Sequence, residues 1–202
     1  ALDRADLPAA RKSYEEAFQL RTQAGEKQTA AESRVSLAKL AIEEGHAPDA
    51  EISARASQQQ FHSDHQGDDE LAADTVLINA LLAQGKQSEA EAEIKRDQPL
   101  GDATQNRFLH LDFESALGRA LLGSDRPETS GTLLQQVKRD ARRYRFVGLE
   151  LAGDLALAEY TNKTKHPAEA QLQLRALQKV ANSKGFGLIA RKAAQGSSMP
   201  GK

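Results

Sequence analysis

Residue types recur along this chain in steps of 40 positions, and this repeat constrains the fold more than any other feature. One column holds only small residues, at Ala10, Ala50, Ala90, Ser130 and Ala170. Four positions later stand the apolar residues Tyr14, Ala54, Ile94, Leu134 and Leu174. A third column holds Leu37, Leu77, Leu117 and Leu157. Several columns in one unshifted register predict a linear array of equal units rather than a globule with one centre.

Within each unit the apolar spacing is helical. Leu37, Leu40 and Ala41 fall on one face of a helix, and no alternating, β-branched run indicates a strand. Gly45 and Gly85 follow apolar runs, at the position where a glycine commonly ends a helix. Prolines stand where a first helical turn tolerates them, at Pro48, Pro127 and Pro167.

We therefore predict an all-α chain with one lone helix over 7–24 and four helix pairs. The first helices of the pairs cover about 27–44, 68–84, 103–123 and 147–163. The second helices cover about 48–62, 87–97, 127–144 and 167–183, and a short last helix covers 186–195. Pro99 and Gly101 are expected to end the second of these second helices early.

These helices predict a single solenoid over 1–195. It begins with a half repeat over 1–26, continues with repeats over 27–66, 67–106, 107–146 and 147–186, and closes with the helix over 186–195. Residues 196–202 are expected to form a disordered tail. The chain does not begin with Met, and we expect it to be a fragment of a longer protein.

Composition narrows the class of protein further. Leu and Ala are abundant but only nine residues are Phe or Tyr, which suits thin layers of closely packed helices. Without Cys there is no disulfide, thiolate nucleophile or Cys metal site, and no apolar stretch is long enough to span a membrane. The net charge of −2 gives no general attraction to phosphate, so we expect neither nucleic acid nor membrane as a partner.

Three of the columns carry a family resemblance. A small, a bulky and another small residue occur together at Ala10, Tyr14 and Ala17. In the first helices a Leu precedes a Gly or Ala at Leu37-Ala38, Leu117-Gly118 and Leu157-Ala158. This pattern resembles the tetratricopeptide repeat (TPR) family, and the resemblance implies a right-handed α-α superhelix of antiparallel helix pairs. The stretch from Lys184 to Ala193 is similar to the C-terminal ends of TPR arrays in large bacterial signalling proteins.

The chain departs from that family in its repeat length and at two columns. The unit is 40 residues long instead of about 34. Asp97 stands where a small residue is expected. Charged residues replace a bulky residue early in the first helices, at Arg34, Asp74, Glu114 and Asp154.

The resemblance implies a partner-binding concave face lined by the first helices. Mapping its positions gives the candidate binding residues Lys39, Thr75, Asn79, Leu82, Ser115, Arg119 and Glu159. Lys39, Asn79 and Arg119 are suited to holding a carboxylate or a peptide backbone together. The competing interpretation is an ordinary solvated helix face. A chaperone-type carboxylate clamp is not expected, because Val35 and Lys39 stand where such a clamp has Lys and Asn.

Two other clusters are weaker candidates for a functional site. His62 and His65 precede three acidic residues, which are ligand types for Zn²⁺ but also ordinary residues for the start of a helix. The basic run 138–145 has the composition of a nucleic-acid patch, and equally of cations at a helix C-terminus. We expect the second interpretation in both cases, with no metal, no cofactor and no catalytic residue.

The predicted function is a non-enzymatic interaction or scaffold module that binds a partner protein or peptide, within a larger signalling protein. A ligand-sensing domain for a small peptide or metabolite is the alternative. The expected location is cytoplasmic, with an extracytoplasmic region of a membrane-anchored protein as the other choice. The helix over 7–24 has an apolar face of Tyr14, Ala17 and Phe18, which either a homodimer contact or upstream repeats would cover.

Overall fold

A computed structural model describes residues 6–124, 126–164 and 166–198 of the protein, and within these ranges the chain is all-α, with ten helices and no strand. The helices are α1 Leu7–Gln23, α2 Lys27–Glu43, α3 Ala47–Ser63, α4 Gly67–Ala83, α5 Gln87–Ala103, α6 Arg107–Gly123, α7 Pro127–Arg143, α8 Val147–Lys163, α9 Pro167–Ser183 and α10 Gly187–Ser198.

The helices are equal in length and evenly spaced. From α1 to α9 each contains 17 residues, and each helix begins 20 positions after the one before. Two helices with their two connections therefore make up the 40-residue unit that the sequence predicts. The all-α helical-repeat solenoid class is confirmed.

Most of the connections share one backbone geometry. After α2, Gly45 has a φ of +83°, and the N–H of His46 donates to the carbonyl of Ala41 at 2.8 Å. This left-handed residue followed by a bond back into the last turn is a helix C-terminal cap that glycine favours. His65 and Arg145 adopt the same left-handed conformation, with φ of 56° and 62°. Glycine is thus preferred at this step of the repeat, although the sequence does not always supply it.

The connection between α5 and α6 differs, and here the predicted boundaries are wrong. Pro99 lacks an N–H for the helical ladder, yet α5 continues past it to Ala103, because one lost hydrogen bond does not outweigh the packing of buried Gly101. The carbonyl oxygen of the Asn106 side chain then accepts the N–H groups of Phe108 and Leu109 at 3.1 and 3.3 Å. This cap starts α6 at 107 rather than 103.

The C-terminal end also differs from the prediction. α10 continues through Gly196 to Ser198, so the predicted tail begins too early. Leu174 lies on the side of Gly196 where a Cβ would point, at 3.1 Å, which shows that this last turn is packed. Residues 199–202 of that tail lie outside the described part of the chain.

The chain forms two compact units, and the boundary between them falls inside α6. In the N-terminal unit, Leu7–Ala116, each of α1 to α4 packs on the next helix, and α2 also packs on α4. In the C-terminal unit, of which Leu117–Lys202 is the main part, α7 to α10 pack in the same way, and α8 also packs on α10. Second helices such as α1, α3 and α5 make no such contacts with one another among the described residues. The first helices therefore lie on the more crowded side of each unit.

The column of small residues at the start of the second helices is almost completely buried, with at most 1% exposure at Ala10, Ala50, Ala90, Ser130 and Ala170. This confirms that helices approach closely there. The Leu column is fully buried only at Leu77, because Leu37, Leu117 and Leu157 are half-buried. Another column of first-helix residues supplies much of the core, at Ala31, Leu71, Leu111 and Leu151.

Gly101 provides a test of how tightly helices pack in the N-terminal unit. A Cβ at this position would lie 2.6 Å from Cδ1 of Phe113, which is buried with 1% exposure. Replacing Gly101 with Ala should lower the free energy of unfolding by about 1–3 kcal/mol, despite the better helix propensity of Ala. Urea denaturation measures this change.

Gly67 is the matched control, since a Cβ there would meet Leu100 at an ordinary 3.7 Å. Gly67→Ala should leave the unfolding free energy unchanged or raise it slightly. If both variants were equally stable, the close approach at Gly101 would be refuted.

Candidate functional site

All seven candidate binding residues lie on first helices, as the repeat register requires. Lys39 is on α2, Thr75, Asn79 and Leu82 on α4, Ser115 and Arg119 on α6, and Glu159 on α8. Lys39 to Ser115 belong to the N-terminal unit, and Arg119 and Glu159 to the C-terminal unit.

Thr75 and Ser115 lie inside the protein rather than on its surface. Their exposed fractions are 2% and 7%, and Val35 in the same column is exposed by 7%. The Thr75 hydroxyl donates to the carbonyl of Leu71 at 2.8 Å, which satisfies it within its own helix. This column forms part of the core, and its burial argues against direct contact between these two residues and a partner.

Lys39 and Asn79 lie at the surface of the N-terminal unit. The Nζ of Lys39 stands 4.0 Å from Oδ2 of Asp112, so the pair joins first helices that are two repeats apart. The amide nitrogen of Asn79 donates to the carbonyl of Thr75 at 2.9 Å. A ligand carboxylate would therefore have to compete with Asp112 for Lys39. Such a partly exposed ion pair is worth at most about 1 kcal/mol, so the exchange costs little.

Arg119 and Glu159 are exposed, each on the first-helix side of the C-terminal unit. Leu82, by contrast, is half-buried in the N-terminal unit. It remains a prediction that one ligand binds Lys39, Asn79 and Arg119 at the same time.

A pair of buried carboxyl groups lies between α4 and α5 of the N-terminal unit. Asp74 has no exposed surface and Asp97 is 1% exposed. Oδ1 of Asp74 accepts hydrogen bonds from the Gln58 amide on α3 and from Nη2 of Arg96 at 3.1 Å. Three consecutive helices thus contribute to one polar cluster inside the core.

The guanidinium of Arg96 pairs with several acidic side chains in this cluster. Nε of Arg96 lies 2.7 Å from Oδ1 of Asp97, and the same guanidinium also pairs with Asp74 and Glu93. Arg55 shares Glu93, at 2.8 Å. Because cations are fewer than carboxylates here, full ionisation of both buried Asp side chains would leave negative charge without compensation.

Protonation of one of the two buried carboxyl groups would remove this excess negative charge. Burial, and then repulsion from Asp97, raise the pKa of Asp74 to about 8. Burial also raises the pKa of Asp97, although hydrogen bonds from Arg96 and from Asp74 oppose that rise. Among the described atoms, Oδ2 of Asp74 has no hydrogen-bond partner while it is ionised. A protonated Asp74 can donate to Asp97, which lowers the pKa of Asp97, so we expect the pair to hold one proton at neutral pH.

Sequence reasoning noticed these two residues only as departures from the repeat. Asp74 shares its column with Arg34, Glu114 and Asp154, and a column of charged residues is easily taken for a solvated face. Asp97 stands in a column with Ser57 and Val137, which are both buried. An acid in a core column was the feature that could have revealed the pair.

The clusters that we set aside form local contacts. Nδ1 of His62 lies 2.9 Å from Oε1 of Glu70, and the described residues include no group of three or more His, Asp or Glu side chains arranged to hold a metal ion. In the basic run, Lys138 pairs with Asp154. No helix in the described ranges is long and apolar enough to cross a membrane.

Comparison with protein-family models and with curated protein sequences gave no match to this chain.

The buried acid pair predicts a pH dependence of stability. Both states hold the Asp74 proton below pH 3.8, and above that value the unfolded chain loses it while the folded chain keeps it up to about pH 8. Stability from this group is therefore lost as pH rises from about 4 to 8. Asp74→Asn mimics the protonated acid and does not titrate, so its free energy of unfolding should exceed that of the parent by about 1–3 kcal/mol at pH 8 and by only about a third of that at pH 5.

Thermal and urea unfolding at the two pH values measure this difference. Asp64→Asn, at an exposed carboxylate, is the control and should leave the pH profile of the parent unchanged. Parallel profiles for Asp74→Asn and the parent would contradict a shared proton.

Proposed function

We propose that this protein is a non-enzymatic interaction module that binds a peptide segment of a partner protein. The binding surface is formed by the first helices and includes Lys39, Asn79, Leu82 and Asp112. We call it the first-helix face. The proposal rests mainly on the contacts between alternate helices. First helices pack on each other, as α2 does on α4 and α8 on α10, whereas second helices make no such contacts among the described residues. Equivalent positions of α2 and α4, and of α8 and α10, are therefore close enough to form a continuous surface.

The chemistry of that surface in the N-terminal unit suits a peptide. Lys39 and Asp112 provide charges of both signs on helices two repeats apart. Asn79 provides an amide, which both donates and accepts hydrogen bonds as a peptide backbone does. Leu82 adds a half-buried apolar contact beside these groups. A peptide with a backbone and mixed side chains can use all of these groups.

We further propose that the module is of the TPR type and belongs to a larger bacterial signalling protein. The 40-residue helix pairs and the TPR-like columns support the type of repeat. The similarity of its last helix to the ends of TPR arrays supports the signalling context.

A displayed library of random peptides tests the proposed function across peptide sequences of every kind. Peptides selected on the full chain are labelled, and their Kd is measured by fluorescence anisotropy. Lys39→Glu should weaken binding about tenfold, because it replaces a cation with an anion beside Asp112. Asn79→Ala should weaken it by a smaller factor, because it removes one amide.

Lys12→Glu is the control, since its side chain is 79% exposed on α1, a second helix of the same unit. The same reversal of charge there should leave the Kd unchanged. Selected peptides that bind the Lys39 and Asn79 variants as tightly as the parent would refute the first-helix face as the binding site, and so would a library from which no binder is recovered.

A further inference from the structure

The near-neutral charge of the chain conceals two oppositely charged units. The N-terminal unit, Leu7–Ala116, contains 11 Lys and Arg against 20 Asp and Glu, for a net charge of −9. The segment Leu117–Lys202, which makes up most of the C-terminal unit, contains 15 Lys and Arg against 7 Asp and Glu, for a net charge of +8. The whole-chain value of −2 is thus a poor guide to partners, because the C-terminal unit by itself attracts anions.

α9 of the basic unit has apolar residues on two faces. The inner face carries Ala170, Leu174, Leu177 and Ala181, which are at most 7% exposed. Leu174, Leu177 and Ala181 belong to the core cluster that α9 shares with α8 and α10. This face accounts for the place of α9 in the unit.

The second apolar face of α9 points to solvent. Leu172 is 66% exposed, Val180 is 43% exposed, and Ala176 between them is exposed as well. Their spacing of four residues aligns them as one ridge along the helix. Arg175 and Lys179 stand three and seven positions after Leu172, so they lie beside the ridge. We call these five residues the outer face of α9.

The two cations of the outer face are available to a partner. Neither Arg175 nor Lys179 forms an ion pair with any residue in the described part of the chain, and both side chains are exposed. Burying Leu172 and Val180 against a partner would remove apolar surface from water, which is the main source of affinity at an interface. An exposed apolar ridge with cations along one side has the pattern of a helix-docking surface.

We propose that the outer face of α9 docks an acidic amphipathic helix of a partner protein. Apolar side chains of that helix pack on Leu172 and Val180, while its Asp and Glu side chains pair with Arg175 and Lys179. This surface lies on a second helix, so the proposal does not depend on binding at the first-helix face.

An acidic protein helix fits this surface better than nucleic acid does. A phosphate backbone offers nothing apolar to cover Leu172 and Val180, and single-stranded nucleic acid is commonly held by stacking on exposed aromatic residues. The large exposed residues of α9 are aliphatic.

A second copy of the chain is also a poorer fit, although its N-terminal unit is acidic. Several of those carboxylates already have cationic partners, as Glu51 has Lys86 at 2.8 Å and Glu93 has Arg55 at 2.8 Å. Docking on these carboxylates would have to break such pairs, which removes part of the electrostatic gain.

Binding of a model helix to the full chain tests the proposal. The probe is a fluorescein-labelled peptide of about 18 residues with Leu at helical i, i+4 spacing and Glu elsewhere. It should bind the parent at low ionic strength, ~0.05 M, and more weakly as salt increases. Arg175→Glu with Lys179→Glu should weaken binding about tenfold or more, while Arg175→Lys with Lys179→Arg should retain it. The doubly reversed variant should instead bind a peptide in which Lys replaces every Glu.

The apolar part of the proposal has its own comparison. A peptide with Ser in place of every Leu keeps its charge but should bind about tenfold more weakly, and Leu172→Ser in the protein should weaken binding of the Leu peptide. Equal binding of the Ser and Leu peptides would overturn the proposal, because it would reduce the surface to a general anion attractor. Reversal of Lys12 on α1 is the control and should not change the Kd.

Three further outcomes bear on the occupant. Thermal unfolding that matches the parent confirms that the reversed variant is folded, and if it is not folded, Arg175→Gln with Lys179→Gln takes its place. Tighter binding of duplex or single-stranded DNA than of the Leu peptide would overturn the proposal in favour of nucleic acid. Self-association in analytical ultracentrifugation that disappears in the reversed variant would overturn it in favour of a second copy.

Discussion

The close approach of neighbouring helices through small side chains is the constraint on which this structure depends. At the start of each second helix the chain has Ala or Ser, and these residues are almost fully buried. Ser130 even uses its hydroxyl to bond the carbonyl of Gly118 at 2.7 Å, which satisfies a polar group at the contact. Because helices can touch there, apolar residues of ordinary size are enough to fill each layer, and few aromatic residues are needed.

The helical repeat could be predicted because every unit repeats the same local rules. The bounds of α8 and α9 agree with the prediction, and the common turn stands before α8 at Arg145 and after α9 at Gly185. The prediction failed between α5 and α6, where Pro99 suggested an end to the helix. The rule that proline weakens a helix interior is correct, because Pro99 loses a backbone hydrogen bond. That rule does not include the contact of Gly101 with Phe113, which joins residues from two helices. Tertiary packing of this kind has no signature in one stretch of sequence.

The candidate site was predicted less well, for a related reason. The sequence placed its residues on the right helices, but it could not tell that Thr75 and Ser115 face the core while Lys39 remains at the surface. Both kinds of position carry small or polar residues, so only burial separates them. A second error concerns the net charge of the chain. A single net value for the whole chain obscured the difference between its two units, although counting charges by halves would have revealed it.

The equal length of the helices has a consequence for how such a chain can grow. A step of 20 residues from one helix to the next means that gaining or losing 40 residues returns every later side chain to an equivalent environment. A change of 20 residues would instead exchange the two kinds of helix, so that Asp112, for example, would come into register with the outer-face residue Leu172. Duplication of a whole helix pair therefore lengthens the array without changing the environment of any later side chain, whereas insertion of a single helix changes them all.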